Sequence, residues 1–125
     1  MAKILLVDDD ETLATIFTTA LSKGGFQTVY AANGKSGLEK AKTEKPDLIL
    51  LDQVLPDIQG NEILKTLASD PETQKIPVIV LSNFSQEELV KEAINQGAKD
   101  YVFKYQVEPQ DVIKKIQETL KIKTP

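Results

Sequence analysis

The sequence predicts an α/β chain in which five strands alternate with five helices as a three-layer, doubly wound (βα)5 parallel sheet. Three observations carry that prediction. Short, nearly unbroken runs of Ile, Leu and Val recur along the chain, as expected of strands covered on both faces. A stretch of helical periodicity follows each run. Gly, Pro, Asn and Asp punctuate the joins. Right-handed crossovers between successive parallel strands then put helices on both faces of the sheet.

The elements follow in order. Lys3–Val7 reads as the first strand. The first helix has Leu13, Ile16, Phe17, Ala20 and Leu21 at i, i+3, i+4, i+7 and i+8, and Gly24-Gly25 ends it. Residues 28–31 form the second strand. Asn33-Gly34 opens a helix over 34–44, with Pro46 beyond its end. Residues 48–51 are the third strand, and Ile63, Leu64 and Leu67 mark the third helix. Residues 78–81 are the fourth strand. Ser85 and Glu88 have capping-box spacing at the start of the fourth helix. That helix carries Leu89, Val90, Ala93 and Ile94 and stops at Gly97. Asp100–Phe103 is a short fifth strand. Pro109 starts the last helix, whose apolar face is Val112, Ile113, Ile116 and Leu120.

At 125 residues the chain suits one domain over 1–125, large enough to bury a real core. No internal repeat, low-complexity tract or interdomain linker interrupts it. A net charge of -4 argues against non-specific nucleic-acid binding, which needs a basic face. With no cysteine, thiol catalysis, disulfides and thiolate metal sites are excluded. With no histidine, so are an imidazole base, an imidazole zinc site and a phosphohistidine. The apolar run after Met1 is too short for a signal peptide or a membrane span, so the expected location is the cytoplasm.

Ligands of open α/β sheets bind beyond the carboxyl ends of the strands. Here those ends are Asp8-Asp9-Asp10, Asp52, Ser82-Asn83 and Lys104. The flavodoxin-like strand order 2-1-3-4-5, adopted as a general rule for such sheets, brings Asp8, Asp9 and Asp52 into one crevice with Ser82 and Lys104 on its far rim. Carboxylates this close persist only if a proton or a hard cation neutralises them. Mg²⁺ fits the oxygen set, with Mn²⁺ as the alternative. A carboxylate nucleophile, a metal, a cation and a hydroxyl donor are what phosphoryl transfer to a carboxylate requires. Taken singly, each residue has a plainer reading. Asp9 or Asp10 could simply cap the first helix. A lone lysine is usually a solvated charge, and Lys114, Lys115, Lys121 and Lys123 read as a solvated helix face. The spacing of an EF-hand is absent. It is the conjunction of acid, acid, hydroxyl and lysine at successive strand ends that favours a site.

Those residues lie in Ile4-Leu5-Leu6-Val7-Asp8-Asp9-Asp10, in Pro46-Asp47-Leu48-Ile49-Leu50-Leu51-Asp52, and in Leu55-Pro56-Asp57 with Gly60. They continue in Ile76-Pro77-Val78-Ile79-Val80-Leu81-Ser82 and Gly97-Ala98-Lys99-Asp100-Tyr101-Val102-Phe103-Lys104. In these motifs the chain resembles the bacterial two-component response-regulator receiver family, itself a reference case of the 2-1-3-4-5 order. The resemblance implies that Asp52 is the phospho-acceptor. It implies that Asp9 and Asp52 bind Mg²⁺ directly, with Asp8 acting mostly through water and the Val54 backbone carbonyl completing the protein ligands. Lys104 would pair with the phosphoryl group, Ser82 would swing to bond it, and Tyr101 would pack inward behind Ser82. The implied donor is a histidine kinase or histidine phosphotransfer protein, whose imidazole this chain does not itself possess. The implied output surface is the fourth helix, fifth strand and fifth helix (residues 84–94 and 101–115), presented to an effector or to a second copy of the chain. Such a protein is no independent enzyme, but it assists its own phosphorylation and dephosphorylation. The resemblance also makes Val54, Asn83 and Phe84 the residues that tune the lifetime of the phosphoryl group.

Two positions depart from the family pattern. Tyr105 follows Lys104 where proline is usual, and a cis bond before a non-proline residue costs about 2.5–4 kcal/mol, so trans is expected. Asn83 stands where a small residue usually follows the switch hydroxyl. Three alternatives remain: a receiver cut from a longer regulator or hybrid kinase, an aspartate-nucleophile phosphatase, and a flavin carrier. The phosphatase reading wants a second aspartate two residues after the nucleophile, and Asp52-Gln53-Val54 lacks it. The flavin reading wants a Ser/Thr/Gly-rich phosphate loop where Asp8-Asp9-Asp10 stands.

Overall fold

A computed structural model describes residues 2–82, 87–104 and 107–121. Its elements are β1 (Lys3–Val7), α1 (Glu11–Lys23), β2 (Gln27–Ala31), α2 (Gly34–Thr43), β3 (Leu48–Asp52), α3 (Gly60–Ser69), β4 (Val78–Ser82), α4 (Glu87–Asn95), β5 (Asp100–Phe103) and α5 (Pro109–Leu120). The strands form one parallel sheet in the order β2-β1-β3-β4-β5. The expected flavodoxin-like architecture is thus observed, with the chain reversing direction across the sheet between β1 and β3.

The alternation of side chains along each strand explains the unbroken apolar runs. Leu5, Val7, Ile49, Leu51, Val78, Val80 and Tyr101 face a core closed by Ala41 of α2, Ile63, Leu64 and Leu67 of α3, and Ala93 of α4. Their neighbours Ile4, Leu6, Leu48, Leu50, Ile79, Leu81 and Val102 face a second core closed by Ala14, Phe17 and Leu21 of α1 and Val112 and Ile116 of α5. Full burial of such side chains is worth about 1.5–3 kcal/mol each, so the central strands anchor the molecule.

The helix ends follow local chemistry. Asp10 caps α1 by accepting the Leu13 N–H at 3.1 Å, and Asn33 caps α2 by accepting the Ser36 N–H at 2.8 Å. Beyond α1 the chain turns through Gly25 at φ +87°, a conformation costly to any residue with a side chain.

Several elements differ from the sequence reading. β2, β3 and β4 each run one residue further, to include Gln27, Asp52 and Ser82. Polar side chains there suggested loop, yet Asp52 still pairs with Leu81 and Ser82 with Phe103. α2 stops at Thr43, and Glu44 is its cap. Ile16 and Ile94, which fit the helical periodicity, are 49% and 45% exposed. The buried stripe of α1 is Ala14, Phe17 and Leu21, which leaves Ile16 on its edge, and α4 buries Ala93 with Leu89 and Val90 only half covered. Ser85, Asn83, Phe84 and the Lys104–Tyr105 bond lie outside the described residues.

Candidate functional site

Strand register places the site. Val7 lies beside both Ala31 and Leu51, Asp52 beside Leu81, and Ser82 beside Phe103. The residues at or just past those ends therefore share one edge of the sheet. The ladder continues a step beyond it: the Asp8 N–H donates to the Ala31 carbonyl at 3.0 Å and the Lys104 N–H to the Ser82 carbonyl at 2.9 Å.

The side chains converge as the strand-end argument expected. Lys104 Nζ lies 2.8 Å from Asp8 Oδ2 and 3.2 Å from Asp52 Oδ2. Asp8, Asp52 and Lys104 are all buried, at 1%, 6% and 7% exposure, whereas Asp9 is exposed. One carboxylate oxygen from each of Asp8, Asp9 and Asp52 lies within 4.8 Å of the others. Asp10, by contrast, takes the plainer role as helix cap, and its N–H donates to Asp8 Oδ1 at 2.9 Å. Ser82 is fully buried and shares a side-chain hydrogen bond with Tyr101, whose ring packs 5.6 Å from that of Phe103.

The loop after β3 is tightly formed. Val54 and Gln59 make an antiparallel bridge, and the Val54 N–H donates to Asp52 Oδ1 at 3.3 Å. A Cβ at Gly60 would sit 2.8 Å from Gln53 Cα and 2.9 Å from the Asp52 carbonyl oxygen, so only glycine lets α3 start against the acceptor strand. Asp57 reaches from this loop to the start of α2, where it accepts the Gly34 and Lys35 N–H groups at 2.7 and 2.9 Å. These bonds hold its carboxyl below the usual range. Sequence reasoning assigned Asp57 no role. Its only signal was its place in the motif after Pro56.

The electrostatics are unbalanced. Burial pushes the Asp52 carboxyl up to about 6; Lys104 opposes that shift and the neighbouring Asp8 charge adds to it. Burial would lower the Lys104 ammonium, but contact with Asp8 and the charges of Asp52 and Asp8 outweigh it, and the net direction is up. Tyr101 is raised by its burial and by the Asp52 charge, against the Ser82 hydrogen bond. Among the described residues three carboxylates thus face one ammonium, two negative charges in excess. Among the described residues Asp8 Oδ2 is contacted by Lys104 alone, which leaves a lone pair free on a buried oxygen. An all-oxygen set with an exposed member and an underused buried oxygen fits a small, hard divalent cation that keeps part of its water.

The geometry is that of a receiver. A family model described as the response regulator receiver domain matches residues 4–117, and the chain belongs to that family. It is similar to protein PilH of Pseudomonas aeruginosa, at 39% identity over 120 residues, covering 96% of this chain and 98% of PilH. It is also similar to the alkaline phosphatase synthesis transcriptional regulatory protein PhoP of Bacillus subtilis, at 38% identity over 104 residues. That match covers 82% of this chain but 42% of PhoP, so the chain spans less than half of this longer relative. A crystal structure of a CheY-like receiver domain protein from Methanospirillum hungatei matches with a TM-score of 0.90 at 30% identity, covering 97% of this chain and 94% of that one. The chain is accordingly a phosphoryl-accepting signalling switch, and the phosphatase and flavin-carrier readings are not favoured.

Proposed function

We propose that Asp52 accepts the phosphoryl group, from a histidine kinase or a histidine phosphotransfer protein, and that 1–125 works as one receiver unit in the cytoplasm. The observation that carries this is the Asp52 carboxylate itself. It is buried at a strand end, raised to about 6, and held 3.2 Å from the Lys104 ammonium. Among the described residues each of its oxygens carries one contact, Oδ1 from the Val54 N–H and Oδ2 from Lys104, which leaves lone pairs for attack.

In the transfer an Asp52 oxygen forms a bond to phosphorus while the phosphorus–nitrogen bond of the donor phosphoimidazole breaks. The imidazole leaves with the electron pair. Mg²⁺, or Mn²⁺ in its place, would be held by Asp9, Asp52 and the Val54 carbonyl, with Asp8 through water. It would screen the negative charge of the incoming phosphoryl oxygens. Lys104 then turns from Asp52 to a phosphoryl oxygen while keeping Asp8 as its second partner. Ser82 gives up its bond to Tyr101 and turns its hydroxyl to another phosphoryl oxygen, and Tyr101 fills the space behind it. Phosphorylation adds about -1.5 to -2 charge and three acceptor oxygens, enough to draw both groups.

The output is a change in the surface of α4, β5 and α5, residues 84–94 and 101–115, read by an effector or by a second copy of the chain. Equal amide exchange on that face with and without a phosphoryl mimic would count against it. Val54, half exposed beside the acceptor, and Phe84 offer no group to orient a hydrolytic water, which supports a slowly decaying phosphoryl group. The primary test is intact mass after incubation with acetyl phosphate. The wild type gains one phosphoryl group only with Mg²⁺, and Asp52→Ala gains none; labelling that persists in Asp52→Ala overturns the assignment.

A further inference from the structure

Tyr30 is the penultimate residue of β2, where its half-buried ring packs against the core shared with α1. Its hydroxyl donates to the backbone carbonyl oxygen of Asp8 at 2.6 Å. The backbone N–H of Asp8 donates to the carbonyl of the next β2 residue, Ala31, at 3.0 Å. The peptide groups on both sides of the Asp8 Cα are therefore tied to β2. On the far side of Tyr30, Lys40 Nζ of α2 donates to the Tyr30 carbonyl at 2.6 Å, which fastens this stretch of β2 in turn.

The Asp8 carbonyl belongs to the peptide plane that carries the amide of Asp9. Asp9 is exposed, and among the described residues its carboxylate makes no side-chain hydrogen bond or ion pair. The direction of that carboxylate is therefore set by its backbone: the Asp9–Asp10 peptide is held by the Asp10 N–H to Asp8 Oδ1, and the Asp8–Asp9 peptide by Tyr30. The hydroxyl is suited to the task. As a phenol it carries its own proton at neutral pH and donates it to the Asp8 carbonyl.

We infer that Tyr30 is a positioning residue for the metal site: its hydroxyl locks the Asp8–Asp9 peptide and so aims the Asp9 carboxylate at the space between Asp8 and Asp52. Tyr30 touches neither the cation nor the phosphoryl group and acts through Asp8 and Asp9. This inference rests on the metal-dependent reading of the site. It differs from that reading in assigning a role to the β2 edge, which supplies no ligand.

Groups that orient metal ligands typically cost about 10–100-fold in affinity when removed. The bond lost in Tyr30→Phe is to backbone, so a loss near the lower end, about tenfold, is expected. Mg²⁺ demands near-ideal octahedral geometry while Ca²⁺ tolerates irregular sites. Freeing the Asp9 backbone should thus weaken Mg²⁺ more than Ca²⁺. General destabilisation would not produce that change of selectivity.

The experiment is calorimetric titration of the metal-free chain with Mg²⁺ and with Ca²⁺, for wild type, Tyr30→Phe, Tyr30→Met and Asp9→Asn, with urea unfolding in EDTA as the measure of fold. The expected result is Mg²⁺ binding by wild type, loss of most of it in Asp9→Asn, and a Kd raised about tenfold in both Tyr30 variants, with a smaller change for Ca²⁺. Unaltered Mg²⁺ affinity in a folded Tyr30→Phe or Tyr30→Met, beside a weakened Asp9→Asn, overturns the positioning role and leaves the metal reading standing. Equal loss for both cations also overturns it. If wild type binds no Mg²⁺, or Asp9→Asn binds as well as wild type, the metal reading itself falls.

Discussion

Replacing Asp52 by Asn removes one buried negative charge and keeps the shape of the side chain. The carboxyl is raised from an ordinary 3.8 to about 6 in the folded chain. At about 1.4 kcal/mol per pKa unit, a shift near two units amounts to roughly 3 kcal/mol. Screening by water at the mouth of the site lowers that to about 2 kcal/mol. Because the folded value exceeds the unfolded one, the folded chain binds this proton more tightly. The contribution to stability is fully present below about pH 4 and is lost as the pH rises through about 6. At neutral pH the ionised Asp52 is therefore a net cost to the metal-free fold.

Urea unfolding in EDTA between pH 4 and 8 checks this by comparing wild type with Asp52→Asn. The variant should be the more stable by about 2 kcal/mol at pH 7, or roughly 8 °C in melting temperature at this chain length, and the gap should close near pH 4. Taking the difference cancels groups such as Asp57, whose lowered carboxyl titrates in the opposite sense in both proteins. Mg²⁺ at about 100 times its Kd should restore about 2.7 kcal/mol to wild type and much less to the variant. An Asp52→Asn protein that is less stable than wild type at pH 7, or a gap independent of pH, would refute the charge-imbalance account.

Four further perturbations follow from the same geometry. Lys104→Met leaves Asp8 and Asp52 without their shared cation, so labelling by acetyl phosphate should fall at least 100-fold, as for loss of a group that stabilises transition-state charge; intact mass against time reads it. Asp57→Ala removes the acceptor of the Gly34 and Lys35 N–H groups and should lower the urea midpoint while Asp52 remains phosphorylatable. Gly60→Ala drives a methyl group to within 2.8 Å of Gln53 Cα, with backbone on the other side of the contact, and should destabilise by about 1–3 kcal/mol and slow phosphorylation together. Val54→Asn combined with Phe84→Glu supplies groups that can hold a water and should speed decay of the phosphorylated form, followed by intact mass after phosphodonor removal; an unchanged or longer lifetime points to Asn83 as the residue that places the water.

The central sheet was legible because β1, β3 and β4 are buried on both faces, and such strands can hardly be written in other residues. The edge strand β2 was read one residue short, since Gln27 faces solvent and pattern alone does not distinguish it from loop. Ile16 and Ile94 satisfied helical periodicity without being core, because periodicity marks a face but not how far the neighbouring element reaches across it. Asp8, Asp52, Ser82 and Lys104 were readable because strand ends place them, and a strand end can be located from its apolar run. Asp57 and Tyr30 were not. Each bonds to backbone more than twenty residues away, Asp57 to Gly34 and Tyr30 to Asp8, and no local spacing encodes such a contact. Asp10 was ambiguous for a related reason: capping and metal binding ask for the same residue type, and only the bond to the Leu13 N–H separates them.

The imbalance that costs stability is also what lets the fold respond. Two excess negative charges at the end of a rigid sheet make the resting site a poor host for itself and a good host for a divalent cation. On the proposed reading, an incoming phosphoryl group would find Lys104 already in place, held by Asp8 and needing only to exchange Asp52 for a phosphoryl oxygen. Ser82 is hydrogen-bonded to Tyr101, so the hydroxyl that would turn to the phosphoryl group and the ring that would follow it are already in contact. Tyr101 sits on β5 beside the half-buried Phe103, and among the described residues α4 buries Ala93 with Leu89 and Val90 half covered, so the proposed output helix has less core to disrupt than α1 or α3. Local free energies of opening are lowest where buried apolar contacts are fewest. On the proposed reading, shifting α4 would therefore take less free energy than disturbing α1 or α3, whose buried stripes are deeper.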